Sequence, residues 1–272
     1  MKKRPLGTLE SRLITSLASE GKDIFTIDQA REVTGGSYAS TRSLLAGLVE
    51  KRWIFRLVPG KYLIVPLSAG EKAQYSEDWF VVGKYVVQPA PYYFSHYSAL
   101  AIHEMISHPV NRVYISTPKR RKSKKVMGVM YQFVYKNPEK MWGMEEVWAK
   151  ATEKVNVSDL ERTVIDCLEN PRLCGGVSEA AQGLWVKRSE LSLGKLVSYC
   201  KRLNSRAVAK RLGFLLDLFD ISDEKTKHEL QFLITKSFTL LDPSLPAQGR
   251  YSSKWRIRIN LNPDELKAVT RT

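Results

Sequence analysis

The sequence predicts an α+β protein, with a small N-terminal head of helices and a hairpin and a larger mixed α/β body whose C-terminal part is helical. Three observations carry this prediction. Apolar residues recur at helical spacing near both ends of the chain, and short β-branched and aromatic runs alternate with turn residues. The length of 272 residues also exceeds the usual size of one domain. We therefore predict two domains, residues 1–70 and residues 71–272.

The first two predicted helices cover residues 8–19 and residues 27–33. Leucines spaced four residues apart mark the apolar face of the first helix, and Thr26 is the predicted N-cap of the second. Gly35 and Gly36 then permit a sharp turn, because glycine has no Cβ to clash with the backbone.

A third helix is predicted from Ser37, as its N-cap, to about Arg52. Residues at positions i, i+3, i+4 and i+7 define its buried stripe: Thr41, Leu44, Leu45 and Leu48. The opposite face of its first turns carries a mixture of side chains suited to base edges and phosphates: Tyr38, Ser40, Arg42 and Ser43. We predict that these four residues contact DNA.

Two apolar runs, residues 53–58 and residues 61–65, predict a β-hairpin closed by Pro59-Gly60. Arg56 and Lys61 flank its tip and are predicted to touch the phosphate backbone. Helix, turn, helix and hairpin in this order make up a winged helix-turn-helix, whose second helix enters the DNA major groove. The alternative is that such a module binds another protein.

Small and charged residues at 67–78 mark the predicted boundary between head and body. In the body, residues 80–85 fit either a strand or a helix, and Ser95 is a predicted helix cap. Residues 112–116 and residues 126–135 predict two strands, and residues 155–157 predict one more.

The second half of the body is predicted to be largely helical. Ser158 and Glu161 have the spacing of a capping box for a helix that ends at Asn170-Pro171. Further helices follow from apolar stripes over residues 193–203 and 208–219, and Ser222-Asp223 is predicted to open one more helix toward Leu233. Residues 255–259 alternate like a strand or a docked tail.

The net charge of +15 indicates an anionic partner. The densest patch occupies six of the seven positions from 119 to 125: Lys119, Arg120, Arg121, Lys122, Lys124 and Lys125. Because like charges repel, this basic loop is predicted to be exposed. It is either a solvated hairpin tip or a second contact with DNA or an acidic protein.

Several classes of protein are not indicated. No apolar run approaches the roughly 18 residues of a membrane helix, and no apolar segment follows the N-terminal charges, so we expect a cytoplasmic protein. The three cysteines, Cys167, Cys174 and Cys200, form no CxxC motif. The four histidines are scattered along the chain, so no spacing typical of zinc ligands is present. We predict neither a metal nor a cofactor.

Three stretches of the body resemble AbiEi-type proteins, the antitoxin-regulators of type IV toxin-antitoxin systems. They are SHYSAL at 95–100, the strand–basic loop–strand unit, and VSDLERTVIDCLENP at 157–171 followed by Gly175-Gly176. The resemblance covers most of the chain. It implies that the head represses a shared promoter by binding inverted repeats in double-stranded DNA. It also implies that the body neutralises a toxin resembling a nucleotidyltransferase, without needing a lasting complex.

An enzymatic body is the main alternative. Four carboxylates lie near one predicted helix, and such a group can bind Mg²⁺ or act as acid and base: Asp159, Glu161, Asp166 and Glu169. A metal-dependent nucleic-acid-processing enzyme with its site around Asp159 and Asp166 therefore stays open, as does a regulator without a toxin. Helix capping and an Arg162–Asp166 pair explain the same carboxylates structurally, so we predict no enzyme.

Overall fold

The computed structural model of the chain describes residues 5–70, 75, 77–107 and 112–268. Its combination of helices with several sheets confirms the predicted α+β class. The chain forms two compact units. The first comprises Met1–Pro89 with Val126–Gly128, and the second comprises Ala90–Lys125 with Val129–Thr272.

The first unit has the following elements: α1 (Thr8–Ser19), β1 (Ile24–Thr26), α2 (Ile27–Thr34), α3 (Tyr38–Glu50), β2 (Ile54–Val58), β3 (Lys61–Ile64) and α4 (Trp79–Val87). The strands form an antiparallel sheet in the order β1-β3-β2. The unit continues past residue 70 because α4 packs within it against β2. Residues 80–85, which fitted either element, are therefore helical.

Both predicted caps in this unit are confirmed. Thr26 and Gln29 cap each other reciprocally, with the Gln29 amide N 3.3 Å from Thr26 Oγ1 and the Thr26 amide N 2.7 Å from Gln29 Oε1. The Ser37 hydroxyl accepts the Ser40 N–H at 3.1 Å. Gly35 ends α2 with a φ of 68°, the left-handed conformation that glycine adopts at little cost.

The core of the first unit joins α1, α3 and the sheet. Its innermost side chains are fully buried and apolar: Leu13, Leu17, Leu45, Leu48 and Ile54. Thr41 is buried and Leu44 half-buried, so the predicted stripe does face the core. Part of the predicted boundary, residues 71–74 and 76, lies outside the described residues.

The second unit contains a six-stranded mixed sheet in the order β6-β7-β5-β4-β9-β8. The strands are β4 (Tyr93–Phe94), β5 (Arg112–Thr117), β6 (Lys124–Val126), β7 (Val129–Tyr135), β8 (Met144–Lys150) and β9 (Glu153–Ser158), with α5 (Tyr97–Ile102) after β4. Because β5 and β7 pair in parallel, the basic loop is not the tip of a hairpin between them. It leads from β5 into β6, which begins at Lys124.

Two predicted caps in this unit were wrong by one residue. Asp159, not Ser158, is the N-cap of the motif helix, and its carboxylate accepts the Arg162 N–H at 2.8 Å. Ser158 instead completes β9, so no capping box with Glu161 forms. His96, not Ser95, occupies the N-cap position of α5.

The rest of the chain is mostly helical, as predicted. Its elements are α6 (Leu160–Glu169), α7 (Val177–Val186), α8 (Leu193–Leu203), α9 (Arg206–Phe219), α10 (Glu224–Phe232), β10 (Thr239–Leu240), β11 (Arg250–Ser252), β12 (Ile257–Ile259) and α11 (Pro263–Ala268). The alternating segment near the end is a strand, β12, and the adjoining Trp255 is buried against Gly213 of α9.

Candidate nucleic-acid interface

Helix α3 presents most of its predicted DNA-reading residues to solvent. Tyr38 is 52% exposed, and Arg42 and Ser43 are also exposed. Tyr38 and Arg42 are four residues apart and therefore share a face of the helix. The Ser40 side chain is exposed too, but its hydroxyl donates to the Ser37 carbonyl at 3.0 Å. Ser40 thus takes part in the N-terminal cap of the helix.

A groove between α1 and α3 adjoins this face. Its cavity volume is about 410 Å³, and Ser40, Ser43 and Glu10 are among its lining residues. Lys51 donates to both carboxylate oxygens of Glu10 at 2.8 Å, and this hydrogen bond lowers the pKa of Glu10 below its ordinary value despite partial burial. The pair ties α1 to the end of α3 and neutralises a carboxylate in the groove.

The two predicted wing residues differ in their surroundings. Arg56 on β2 is exposed. Lys61 is half-buried, and its ammonium donates to the Tyr85 carbonyl at 3.0 Å and the Gln88 carbonyl at 3.4 Å. These carbonyls lie at the C-terminal end of α4, where the helix dipole favours a cation. Lys61 is thus engaged within its own unit, and a phosphate contact by the wing depends on Arg56.

An exposed residue near α3 was missed from the sequence. Arg52 lies in the turn between α3 and β2 and has a positive φ of 60°. Its signal in the sequence is the Lys51-Arg52 pair directly after the helix. Positive φ is uncommon for a residue with a Cβ, and only the folded backbone reveals it.

The basic loop belongs to the second unit, whereas α3 belongs to the first. Four of its cations are exposed, namely Lys119, Arg120, Lys122 and Lys125, while Arg121 and Lys124 are half-buried. The Arg120 guanidinium lies 4.7 Å from the centre of the Tyr135 ring, and that of Arg121 lies 5.7 Å from the centre of the Phe133 ring. Aromatic side chains of β7 therefore hold two of the six cations against the sheet.

Two of the four predicted carboxylates belong to a buried ionic group that we call the Asp166 cluster: Tyr93, Lys136, Arg162, Asp166 and Glu169. Asp166 Oδ1 lies 3.0 Å from both Lys136 Nζ and Arg162 Nε, which confirms the predicted intrahelical pair with Arg162. Glu169 lies 2.6 Å from Lys136 Nζ. Burial alone would raise the pKa of Asp166, but the two cations outweigh it and hold that pKa below its ordinary value.

The other two carboxylates share one lysine. Lys195 Nζ lies 3.2 Å from Asp159 Oδ2 and 2.8 Å from Glu161 Oε2. Glu161 also accepts the backbone N–H of Ser192, and Asp159 accepts the Tyr199 hydroxyl at 2.7 Å. Within the described ranges, no group of three or more His, Cys, Asp or Glu side chains is arranged to hold a metal ion. All four carboxylates are thus members of ion pairs.

The two histidines of the SHYSAL region have separate partners. His96 is buried, and its Nδ1 lies 2.8 Å from Ser95 Oγ, which accepts from Ser116 at 2.8 Å. Burial lowers the pKa of His96 to about 4, so its imidazole is neutral at pH 7. His103 Nε2 lies 2.6 Å from the Ser158 carbonyl. Both residues therefore join α5 to neighbouring strands.

Comparison with known proteins extends the description of the fold. No family model matches this sequence, and no curated protein matches it. The structure is similar to the crystal structure of the RV2827C protein from Mycobacterium tuberculosis, with a TM-score of 0.75 and 15% sequence identity over 99% of this chain and 97% of that one. At this identity, the similarity concerns the fold. Among the described residues, no helix is both long and apolar enough to cross a membrane.

Proposed function

We propose that this protein is a DNA-binding transcriptional repressor whose first unit acts as a winged helix-turn-helix. One observation carries the proposal. Helix α3, which follows α2 across the Gly35–Gly36 turn, turns its apolar stripe to the core and leaves Tyr38 and Arg42 exposed on its first turns. A recognition helix needs this division, because one face must be anchored while the other reaches base edges.

The roles proposed for the side chains follow from their chemistry. Arg42 can donate two hydrogen bonds to the O6 and N7 atoms of a guanine in the major groove. Tyr38 and Ser43 supply further polar contacts beside it, while Ser40 takes part in the N-terminal cap of α3. Arg56 would bind a phosphate from the hairpin. Lys61 is left out of this set because its ammonium binds carbonyls of α4.

We further propose that the repressor is the autoregulating antitoxin of a type IV toxin-antitoxin pair and acts in the cytoplasm on its own promoter. This part rests on the resemblance to AbiEi-type proteins. The partner would be a toxin resembling a nucleotidyltransferase. If no such gene lies beside this one, a regulator without a toxin is the better description.

The first test is protection of the DNA upstream of the gene, using the full chain and its Arg42→Ala variant. We expect a protected inverted repeat for the unchanged protein. Arg42→Ala should weaken operator binding by about 1–3 kcal/mol and reduce the preference for operator over a scrambled duplex by a similar amount, because direct base contacts carry sequence preference. Binding would be measured by gel retardation at one fixed salt concentration.

Arg31→Ala is the matched control, since Arg31 lies on the exposed side of α2 and pairs with Asp28 at 3.4 Å. It removes the same charge and should leave the preference for operator over scrambled DNA intact. If Arg42→Ala keeps that preference undiminished, α3 does not read the bases in this way. If no DNA upstream of the gene is protected, autoregulation is excluded.

The basic loop is expected to bind additional phosphates of the DNA. Replacing its six cations with Ser should lower affinity for DNA and flatten the dependence of log K on log salt, by about 0.9 for each phosphate that the variant no longer binds. Replacing Arg120 and Arg121 with Lys removes the planar groups over Tyr135 and Phe133 but keeps both charges. Because the charges are kept, the salt slope should stay nearly unchanged. An unchanged slope in the six-Ser variant would remove the loop from the DNA interface.

The enzyme alternative is separated by incubating labelled promoter DNA with the protein and Mg²⁺. A repressor retards the DNA and leaves it intact, whereas cleavage would favour a nucleic-acid-processing enzyme. The pairing of all four carboxylates with Lys136, Arg162 or Lys195 supports the repressor, because a metal would have to displace these cations.

A further inference from the structure

The small sheet near the end of the chain has one apolar face and one aromatic, cationic face. Ile257 and Ile259 of β12 are buried, whereas Arg258 between them points to the other side. In the register of the sheet, Arg258 is opposite Tyr251 of β11, so these two side chains share a face. Phe238 directly precedes β10 and contacts Tyr251, with ring centroids 4.8 Å apart.

The aromatic side chains on this face are open to solvent. Tyr251 is 58% exposed and Phe238 is 43% exposed. Their rings meet edge to face at 75°, so neither ring covers the face of the other completely. The core beneath is already closed by Trp255, Ile257 and Ile259. Packing against that core therefore does not explain why two large rings lie on this surface.

Guanidinium groups accompany both rings. The Arg256 guanidinium lies 5.6 Å from the centre of the Phe238 ring, and that of Arg258 lies 5.3 Å from the centre of the Tyr251 ring. Arg258 Nε is buried and has no hydrogen-bond partner among the residues that the structure describes. Arg256 has a positive φ of 51°, an uncommon conformation that recurs at functional sites.

More cations surround these rings along the chain. Lys236 and Arg250 are exposed and lie close to the aromatic residues in sequence. Lys254 in the β11–β12 connection forms an ion pair with Asp217 of α9 and is thereby neutralised. We call Phe238, Tyr251, Arg256 and Arg258 the aromatic–arginine surface. These four residues include two guanidinium groups and no carboxylate, and their charge therefore complements a polyanion.

We propose that the aromatic–arginine surface binds single-stranded nucleic acid. Tyr251 and Phe238 would stack on unpaired bases, and the guanidinium groups would bind the phosphates between them. A duplex hides its base faces inside the helix, so exposed rings select an unpaired strand, whose bases are free to stack. The surface lies wholly in the second unit and involves no residue of the proposed repressor interface.

The test uses the full chain and two fluorescein-labelled 15-mers, oligothymidylate and oligouridylate, in fluorescence anisotropy titrations. We expect both strands to bind, and their relative affinity shows whether DNA or RNA is preferred. Tyr251→Ala should weaken binding about tenfold, because one base loses its stacking partner. Tyr251→Phe keeps the ring and should bind nearly as well as the unchanged protein.

Phe232→Ala is the matched control, since Phe232 is 76% exposed on α10 and lies outside the surface. It should leave oligonucleotide binding unchanged.

The double variant Arg256→Gln with Arg258→Gln should reduce the dependence of log K on log salt by about 1.4, because each phosphate contact on a single strand contributes about 0.7. A tenfold loss in Tyr251→Ala with an unchanged circular dichroism spectrum would support the surface, because the unchanged spectrum shows that the variant is folded.

Two results would overturn the proposal. The first is that neither 15-mer shows saturable binding to the full chain. The second is that Tyr251→Ala binds as well as Phe232→Ala while oligoaspartate of the same charge competes equally, since the surface would then respond to charge alone. Neither result bears on the repressor, whose own test is protection of the upstream DNA.

Discussion

Replacing Asp166 with Ala is expected to lower the free energy of unfolding by about 3–5 kcal/mol. Asp166 is fully buried and accepts from Lys136, Arg162 and Tyr93. Its removal would leave the Arg162 guanidinium buried without its principal counter-charge. Burial of an uncompensated charge costs far more than the loss of the pair itself, and for that reason the effect is large.

Urea denaturation followed by circular dichroism would measure this loss. Glu190→Ala is the matched control, because Glu190 forms a surface ion pair at 3.1 Å with Lys187, which lies three residues earlier in the chain. Exposed pairs of this kind contribute about 0–1 kcal/mol. A loss below about 1 kcal/mol for Asp166→Ala would mean that water reaches the cluster and replaces the missing carboxylate.

The Asp166 cluster also explains what residues 157–171 do in the fold. Arg162 stacks on Trp142, with its guanidinium 3.8 Å from the ring centre, and donates to the Trp142 carbonyl and the Tyr93 hydroxyl. The Ser158 and Thr163 hydroxyls lie 2.8 Å apart, and Asp159 caps the helix. The charged and hydroxyl residues of this stretch therefore hold α6 on the sheet.

Between pH 6.5 and pH 4, His96 is expected to cost the folded protein about 3 kcal/mol of stability. Burial lowers the pKa of His96 from 6.5 to about 4. In this window the unfolded chain takes up a proton at His96 and the folded chain does not, so a falling pH favours the unfolded state. The contribution of His96 is complete above pH 6.5 and is lost as the pH falls towards 4.

Urea denaturation at several pH values from 7.5 to 4.5 tests this expectation. His96→Asn removes the titrating group, and Asn tolerates the positive φ of 54° at this position better than most residues. Its stability should decline less steeply over the window. His228→Asn replaces an exposed histidine on α10, and its stability should decline as steeply as that of the unchanged protein. Identical declines in all three proteins would show that His96 is not the responsible group.

Asp166 acts in a different pH range. Its pKa lies below the ordinary value of 3.8, so its contribution is present above that pH and is lost only as the pH falls further. The Asp166 carboxylate therefore adds little to the decline between pH 6.5 and pH 4, and the comparison with His96→Asn isolates the part that is due to His96.

Most of the first unit could be predicted from local patterns. Helix α1 has the predicted bounds, Thr26 and Ser37 are caps, and Gly35 has the left-handed conformation expected at the turn. Such signals succeed because caps, glycine conformations and i, i+4 spacings act within about four residues of chain. The exposure of Tyr38 and Arg42 followed from the same periodicity.

Strand pairing in the second unit was less accessible to prediction. Strand β8 was missed because Met144, Glu145 and Glu146 are all exposed, so the strand lacks apolar alternation. The parallel pairing of β5 and β7 depends on residues brought together from separate stretches of the chain. A run of alternating residues predicts a strand, but it does not specify which neighbour the strand pairs with.

The amino-acid sequence alone determines helices α1 to α3, the face of α3 that is exposed to solvent, and the basic character of the chain. Tertiary structure decides which charged side chains remain available. It places Lys61 against the end of α4, Asp166 between Lys136 and Arg162, and Arg258 beside Tyr251. The physical reason is that helix signals act between residues close in sequence. A buried charge must be paired because it has lost its water, and its partner can come from a distant part of the chain.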